Sequence, residues 1–261
     1  SLSKGYKIIE RFSEDIDIHI KPPPDMQVVE DPRKDKPSHI ETRKKYYDWL
    51  ASEIKIDGIV SVERDHAFDN ETFTSGGVRL IYQTVVNPIP GVKEGILLEA
   101  GFDNVTPNQK LTISSWAYDK ASTTEGISII DNRALDIICY HPGYTFVEKL
   151  QTIATKFRQE QADGKERANY MRQYYDVYSL LANDLVLTFI GAEEYEAHKK
   201  RRFPKKDLEI PIAENEAFKL SDPKLRDAFR KRYLSTRALY YNGQPDFDEV
   251  IKRIGDFLNK L

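Results

Sequence analysis

Residues 14–21 read Glu-Asp-Ile-Asp-Ile-His-Ile-Lys, with isoleucine at every second position. A period of two is typical of a β-strand that buries one face. The three isoleucines are therefore predicted to face the core. Asp15 and Asp17 are predicted to share the opposite face, with Cα atoms roughly 6.5–7 Å apart. Three prolines at 22–24 end the strand, because proline cannot donate a hydrogen bond to a sheet.

Asp15 and Asp17 are the first candidate functional residues. Two like charges this close repel each other, which raises one pKa or calls for a cation, and carboxylates suit Mg²⁺ or Mn²⁺. A bare D-x-D pair is more often the polar face of an edge strand. The residues upstream favour a site instead. Arg11 and Ser13 offer a cation and a hydroxyl, and a short helix predicted over Leu2–Ile9 offers a helix end, all of which suit a triphosphate.

The remaining pattern predicts a mixed α/β part followed by an all-α part. A helix is expected over His39–Ile54, where apolar residues recur at helical spacing. Strands are expected at Gly58–Glu63, Val78–Val86, Gly95–Phe102, Leu111–Trp116 and Leu135–Tyr140. After the turn sequence at 141–143 the periodicity becomes helical. We therefore expect two domains, residues 1–143 and residues 144–261.

Composition limits the class of protein. The 261 residues carry a formal net charge of −3, which provides no overall field for attracting nucleic acid. The single cysteine, Cys139, excludes an internal disulfide. No apolar run approaches the roughly 20 residues of a membrane span, so we expect no membrane association and a cytoplasmic location.

Two stretches carry a family resemblance. Ser1-Leu2-Ser3-Lys4 and Arg11-Phe12-Ser13-Glu14-Asp15-Ile16-Asp17 resemble the signature of AbiEii/AbiGii-like toxins, the nucleotidyltransferase-fold members of bacterial abortive-infection and type IV toxin–antitoxin systems. In that family the signature opens with Gly-Gly-Thr, which contacts nucleotide phosphates. Those residues would precede Ser1, so we expect an upstream stretch to be missing.

The resemblance implies a fold and a set of ligand-binding residues. The fold would be polymerase-β-like, an α/β (α+β) nucleotidyltransferase domain with a mixed sheet flanked by helices, followed by a C-terminal helical domain. Nucleotide-binding roles would fall to Ser1, Lys4, Arg11 and Ser13.

Folds of this kind use a third carboxylate on a neighbouring strand. Glu99 is the candidate, because it is the only charge in the apolar stretch Gly95–Ala100 and an inward-facing acid needs a partner or a metal. An ordinary ion pair or a solvent-facing strand end would explain Glu99 equally well. Weaker candidates for the third ligand are Glu63, Glu94 and Asp103.

Two further motifs lie on predicted helices. Lys149 borders the apolar face of its helix, where a lysine can bury its stem and extend its ammonium into a cleft. The family has a matching E-K-L motif, which implies that Lys149 meets the triphosphate. Asp176 lies four residues after Arg172, the spacing of a surface salt bridge. The family's similar R-x-x-x-D motif implies that Asp176 is catalytic or organises the site, with Arg172 as its support.

These observations predict a metal-dependent nucleotidyltransferase. Mg²⁺ or Mn²⁺ would be bound by Asp15, Asp17 and Glu99, and the NTP would lie in a cleft between the two halves. Glu99 or Asp176 would assist the acceptor hydroxyl. The resemblance favours RNA, and tRNA in particular, over a protein hydroxyl as the acceptor, and it implies a toxin held in check by a separately encoded antitoxin in phage defence or growth control. A phosphodiesterase or nuclease with the same acids, and a catalytically silent nucleotide-binding module, are the alternatives.

Overall fold

The chain divides into two compact units. The computed structural model describes residues 2–13, 15–85, 87, 94–103 and 105–261. Residues 13–105 form one unit, which we call the inserted unit. The other, the flanking unit, combines residues 1–12 with residues 106–261. The boundary predicted after Gly143 falls inside the flanking unit, within the first turn of a helix.

The inserted unit is built on a four-stranded mixed sheet. Its strands are β1 (Asp15–His19), β2 (Ile59–Asp65), β3 (Ser75–Tyr82) and β4 (Ile96–Gly101). Their order across the sheet is β1-β4-β3-β2. Strands β1 and β4 are parallel, whereas β3 is antiparallel to both β4 and β2. The four predicted strands are present, but the one predicted over Val78–Val86 runs over Ser75–Tyr82 instead: residues 83–85 are not strand, and Val86 lies outside the described residues.

Helix α1 (Pro37–Glu53) packs an aromatic cluster against one face of this sheet. Tyr46 and Tyr47 contact Ala100 and Phe102, and the Tyr47 hydroxyl donates to the Ala100 carbonyl at 3.0 Å. Since successive strand residues point to opposite sides, the face opposite α1 is left for the acidic residues of β1 and β4.

The prediction that Ile16, Ile18 and Ile20 all face the core is wrong for Ile16. Ile20 belongs to the buried cluster beneath α1, and Ile18 packs against it. Ile16 is 49% exposed. The aromatic side chains of α1 reach only the second half of β1, so the alternating pattern predicts the strand correctly but overstates how much of it is covered.

The two glycines of β3 are required by close packing. Gly76 lies under the ring of Tyr47, where a Cβ atom would come within 2.9 Å of the ring. Gly77 pairs with Glu99 on one side and Asp65 on the other. A Cβ atom there would lie 2.6 Å from the Asp65 carbonyl oxygen, a distance that forces the backbone to move. Glycine therefore lets β2 and β3 approach beside the strand that carries Glu99.

The flanking unit is mainly helical. Its helices are α2 (Trp116–Ser122), α3 (Pro142–Asp163), α4 (Met171–Leu180), α5 (Asp184–Phe189), α6 (Glu193–Arg202), α7 (Lys205–Leu208), α8 (Glu216–Lys219), α9 (Pro223–Leu234) and α10 (Phe247–Phe257). A two-stranded antiparallel sheet pairs β5 (Asn108–Ile113) with β6 (Ala134–Tyr140). None of the described helices has the length and apolar character needed to cross a bilayer.

The core of the flanking unit lies between α3 and α4. Phe146, Leu150 and Ile153 of α3 are fully buried, as are Tyr174 and Val177 of α4. These residues recur every three or four positions, so each helix turns one apolar stripe toward the other. This packing fixes the orientation of Lys149 and Asp176, which border the two stripes.

Two predictions about individual helices and strands are wrong. No helix forms over Leu2–Ile9; this segment is a turn closed by a hydrogen bond from Ile8 N to Leu2 O, and Lys7 has a positive φ of 55° that interrupts helical geometry. The predicted strand at Leu111–Trp116 ends at Ile113. The Ser115 side chain accepts a hydrogen bond from Tyr118 N and begins α2 there.

Residues 2–12 form hydrogen bonds with residues that lie much later in the sequence of the flanking unit. Phe12 N donates to Leu239 O at 2.8 Å, and Arg11 forms a β-bridge with Tyr240. Glu10 N donates to the Tyr175 hydroxyl at 3.0 Å. The first residues therefore depend for their hydrogen bonds on residues far along the sequence.

Candidate active site

Three carboxylates meet on the open face of the inserted unit. Asp17 on β1 is the register partner of Glu99 on β4, and Asp15 lies two residues earlier on the same face. Each of the three offers a carboxylate oxygen that lies within 4.8 Å of the others. We call this group the acidic triad. It is the one group of three or more metal-ligating side chains among the described residues.

The electrostatics of the acidic triad favour a bound cation. Asp15 and Asp17 are exposed, whereas Glu99 is half-buried. Burial raises the pKa of Glu99 above its ordinary value, and the nearby charges of Asp17 and Asp15 raise it further. Three acids this close repel one another, and a divalent cation relieves that repulsion. Mg²⁺ and Mn²⁺ take oxygen ligands, so the donor set fits either ion.

A hydroxyl fixes one member of the acidic triad. Ser13 Oγ donates to Asp15 Oδ1 at 2.7 Å and contacts the Asp15 carbonyl oxygen at 3.2 Å. Hydrogen bonds of this kind orient metal ligands in many sites. Ser13 was predicted to bind nucleotide; the structure shows it holding a carboxylate.

The alternative third ligands lie elsewhere. Glu63 on β2 accepts a hydrogen bond from Ser61 at 2.9 Å. Glu94 precedes β4 and Asp103 follows it, and neither belongs to the acidic triad. Of the four acids considered, Glu99 alone joins Asp15 and Asp17.

A second charged cluster lies inside the flanking unit. Asp176 on α4 is fully buried and receives two hydrogen bonds from the Arg11 guanidinium, at 2.8 and 2.7 Å. Lys149 Nζ on α3 lies 3.2 Å from the same carboxylate. The Arg11 guanidinium, which donates both of these hydrogen bonds, and the Lys149 ammonium give this buried acid two cationic partners. We call Arg11, Lys149 and Asp176 the buried ion cluster.

Asp176 is ionised in this setting. Burial by itself raises the pKa of Asp176, but the charges of Lys149 and Arg11 and their hydrogen bonds outweigh burial and bring the pKa below its ordinary value. A fully buried carboxylate already bound by two cations is a poor proton acceptor. Of the two roles predicted for Asp176, the geometry therefore favours organisation of the site over general-base catalysis.

The three residues of the E-K-L motif each have a different environment. Leu150 is fully buried in the core of α3. Glu148 lies 3.4 Å from both His198 and Arg202 on α6. Lys149 keeps 24% of its side chain exposed while bound to Asp176. The motif thus anchors α3 on both sides and leaves the lysine ammonium at the edge of the protein interior.

The family can be assigned once this geometry is described. The model of the nucleotidyl transferase AbiEii toxin family, of type IV toxin–antitoxin systems, matches residues 1–253. The chain belongs to the AbiEii family. This confirms the resemblance seen in the sequence and makes the protein a nucleotidyltransferase toxin.

A solved structure is also similar to this AbiEii chain. It is that of MenT4, a nucleotidyltransferase toxin from Mycobacterium tuberculosis H37Rv. The match covers 99% of this chain and 81% of the MenT4 chain, with 14% sequence identity and a TM-score of 0.45. The comparison with curated proteins returns no match.

The remaining predicted nucleotide-binding residues of the AbiEii chain have other contacts. Arg11 is buried, and besides Asp176 its guanidinium donates to Phe12 O at 2.9 Å. Lys4 Nζ lies 3.6 Å from the ring centroid of Trp116, a cation–π contact. Ser1 lies outside the described residues. Arg11 is therefore bound within the protein, whereas Lys4, Ser13 and Lys149 each keep an exposed portion.

The support predicted for Asp176 comes from a different arginine. Arg172 lies one turn before Asp176 on α4 and is itself buried. Among the described side chains, the ion-pair partners of Asp176 are Arg11 and Lys149. Arg11 is 165 residues away in sequence, so the i,i+4 spacing could not reveal this pairing. The available signal was the family resemblance, in which Arg11 and Asp176 belong to two separate motifs.

Proposed function

We propose that this AbiEii-family chain transfers a nucleoside monophosphate from an NTP to an RNA acceptor such as tRNA, with Mg²⁺ or Mn²⁺ held by Asp15, Asp17 and Glu99. The observation that carries the proposal is the acidic triad on one face of β1 and β4. Family membership supplies the reaction class, and the triad supplies the ligands that the chemistry needs.

The reaction places defined demands on the protein. The acceptor hydroxyl oxygen forms a bond to the α-phosphorus while the bond to the β-phosphate oxygen breaks, which releases pyrophosphate. When bound, the metal ion supplies charge that offsets the charge developing on the phosphate oxygens. Asp15 and Asp17 would hold that ion, and Ser13 holds Asp15 in orientation. Glu99, which would share in holding the ion, also takes the proton that the acceptor hydroxyl loses, because Asp176 is already bound to two cations.

Lys149 is proposed to bind the triphosphate. Its ammonium is the exposed end of the buried ion cluster, and lysine is a common point-charge ligand for phosphate. Asp176 is a positioning residue in this scheme, because it holds the stem of Lys149 through an ion pair and is itself fixed by Arg11.

The biological setting follows from the family. A type IV toxin–antitoxin family implies a separately encoded antitoxin. We propose that the chain acts in the cytoplasm as such a toxin, in phage defence or growth control, by modifying RNA.

The proposal is tested by incubating the protein with each α-³²P-labelled NTP, total RNA and Mg²⁺. Label is expected to enter RNA with the wild-type chain. Asp17→Asn is expected to reduce incorporation by more than about 100-fold, because residues that merely support a metal ligand already cost 10–100-fold. Asp57→Asn, an exposed aspartate in a turn before β2, is the matched control and should retain wild-type activity.

Two other results contradict nucleotidyl transfer to RNA. Shortened RNA without label incorporation identifies a phosphodiesterase or nuclease that uses the same acids. Absence of both products, together with Mg²⁺–NTP binding that Asp17→Asn abolishes, identifies a silent nucleotide-binding module.

A further inference from the structure

Helix α3 carries a second lysine on the same side as Lys149. Lys149 and Lys156 are seven residues apart, so they project from one side of the helix about 10.5 Å apart along its axis. Thr145 and Thr152 lie on the same stripe, and all four residues are partly buried. The stripe is thus polar and cationic, whereas the neighbouring stripe of α3 forms the core of the flanking unit.

Lys156 is fixed in place by the backbone. Its Nζ donates to Ala168 O at 2.8 Å, so the ammonium does not sample solvent freely. Burial lowers the pKa of Lys156, and the charges of Arg172 and Lys149 lower it further, against an opposing effect of Glu160. Neighbouring cations repel each other, and an anion that binds between them relieves this repulsion.

The carboxylates near these lysines are already engaged. Asp176 is shared between Arg11 and Lys149. Glu160 receives two hydrogen bonds from Arg232, both of 2.8 Å. The hydrogen bond of Lys156 goes to a neutral carbonyl group. Positive charge on this stripe of α3 therefore exceeds the negative charge that the neighbouring described residues supply.

We propose that Lys156 and Lys149 together form a polyphosphate-binding surface on α3, which holds the terminal phosphates of the NTP and the pyrophosphate that leaves. The identity of the ligand rests on the proposed nucleotidyl transfer. Two ammonium groups on flexible four-carbon stems, two helical turns apart, suit a chain of linked phosphates. Lys156 lies outside the E-K-L motif, so the motif does not identify it.

The test measures binding of inorganic tripolyphosphate to the full chain by calorimetry, in buffer with EDTA and without RNA. Lys156→Gln is expected to weaken binding by about tenfold or more, the usual order for one charge-assisted hydrogen bond. Lys156→Arg keeps the charge and should retain most of the affinity. Lys165→Gln is the matched control, because Lys165 is exposed just beyond the end of α3, and should bind as the wild type does.

Steady-state kinetics provide a second readout. Lys156→Gln is expected to raise the KM for NTP more than it lowers kcat. If Lys156→Gln also lowers the unfolding midpoint, Lys156→Arg decides between binding and structure. Restored affinity in Lys156→Arg supports the proposal, and absence of recovery in a variant of wild-type stability overturns it.

Wild-type tripolyphosphate affinity in Lys156→Gln overturns the proposal directly. If that variant also loses single-stranded RNA binding, Lys156 is assigned to the acceptor instead. Because the binding assay contains neither metal nor acceptor, its result is separable from that of the label-transfer assay. Polyphosphate binding can depend on Lys156 even if the wild type transfers no label, and transfer can occur with no contribution from Lys156.

Discussion

The buried carboxylate of Asp176 shows how a single residue links stability to the site. Its neighbours Arg11 and Lys149 come from opposite ends of the first 150 residues, and both form ion pairs with Asp176. A buried ion pair contributes little net stability relative to apolar residues of the same size. Removal of one partner is nevertheless destabilising, because it takes a counter-charge away from the other buried group. Asp176 is therefore the position at which a small chemical change has the largest expected effect.

Asp176→Asn is expected to destabilise the protein by about 3–5 kcal/mol, because it removes the buried carboxylate that pairs with the Arg11 guanidinium. The free energy of unfolding from urea denaturation at pH 7 measures this loss. Asp256→Asn serves as the control, since Asp256 is exposed on α10 and should change stability by no more than about 0.5 kcal/mol. Equal stability of the two variants would show that the pairing contributes nothing.

The pH dependence of stability should follow from the same ion cluster. The pKa of Asp176 in the folded state lies below its ordinary value of 3.8. Its contribution is therefore fully present above pH 3.8 and is lost as the pH falls through the lower, folded-state pKa. The difference in unfolding free energy between wild type and Asp176→Asn should be constant from pH 5 to 7 and shrink in more acidic buffer. A difference that grows on acidification would contradict the assigned shift.

The sequence predicts the acidic residues better than it predicts the cations. Alternation with isoleucine places Asp15 and Asp17 on one face, and Glu99 stands out as the one charge in an apolar strand. Arg11 is different, because nothing in its local sequence indicates that it is buried or that its partner is Asp176. Lys156 is missed for a similar reason: its significance depends on what surrounds it in space.

At the scale of elements, the strands and long helices were predictable because each has one apolar stripe. The failures lie where backbone geometry decides. The predicted helix at Leu2–Ile9 is broken at Lys7, whose φ is positive. The end of β5 is fixed by Ser115, whose side chain caps α2. A periodic pattern records which side of an element is buried but carries little information about where the element stops.

Gly77 offers a test of strand packing. Gly77→Ala should destabilise the protein, because a Cβ atom would lie 2.6 Å from Asp65 O and push β2 away from β3. Gly255→Ala is the matched control: this helical glycine has open space around its Cβ position, so alanine should stabilise the protein by about 0.5–1 kcal/mol. Thermal unfolding of the two variants should shift in opposite directions. A shift in the same direction would refute the close approach of β2 and β3.

At the scale of the whole molecule, metal and polyphosphate are expected to act on different units. Mn²⁺ should slow amide hydrogen exchange in peptides that contain β1 and β4, because the acidic triad lies on those strands. Tripolyphosphate in EDTA should instead slow exchange in α3. A bound ligand slows hydrogen exchange in the segment that binds it, because it suppresses local opening of that segment. Protection of α3 by Mn²⁺ in the absence of any phosphate would argue against the ligand assignments made here.

Residues 2–12 belong to a unit whose remainder is synthesised much later. At a translation rate of about 5–20 residues per second, residue 240 leaves the ribosome roughly 11–46 s after residue 11. Until then the backbone partners of Arg11 and Phe12, at Tyr240 and Leu239, do not exist. The inserted unit, in contrast, is a continuous segment that can fold as it emerges. A nascent chain that stops before residue 239 would thus carry its acids in place while residues 11 and 12 still lacked these backbone partners.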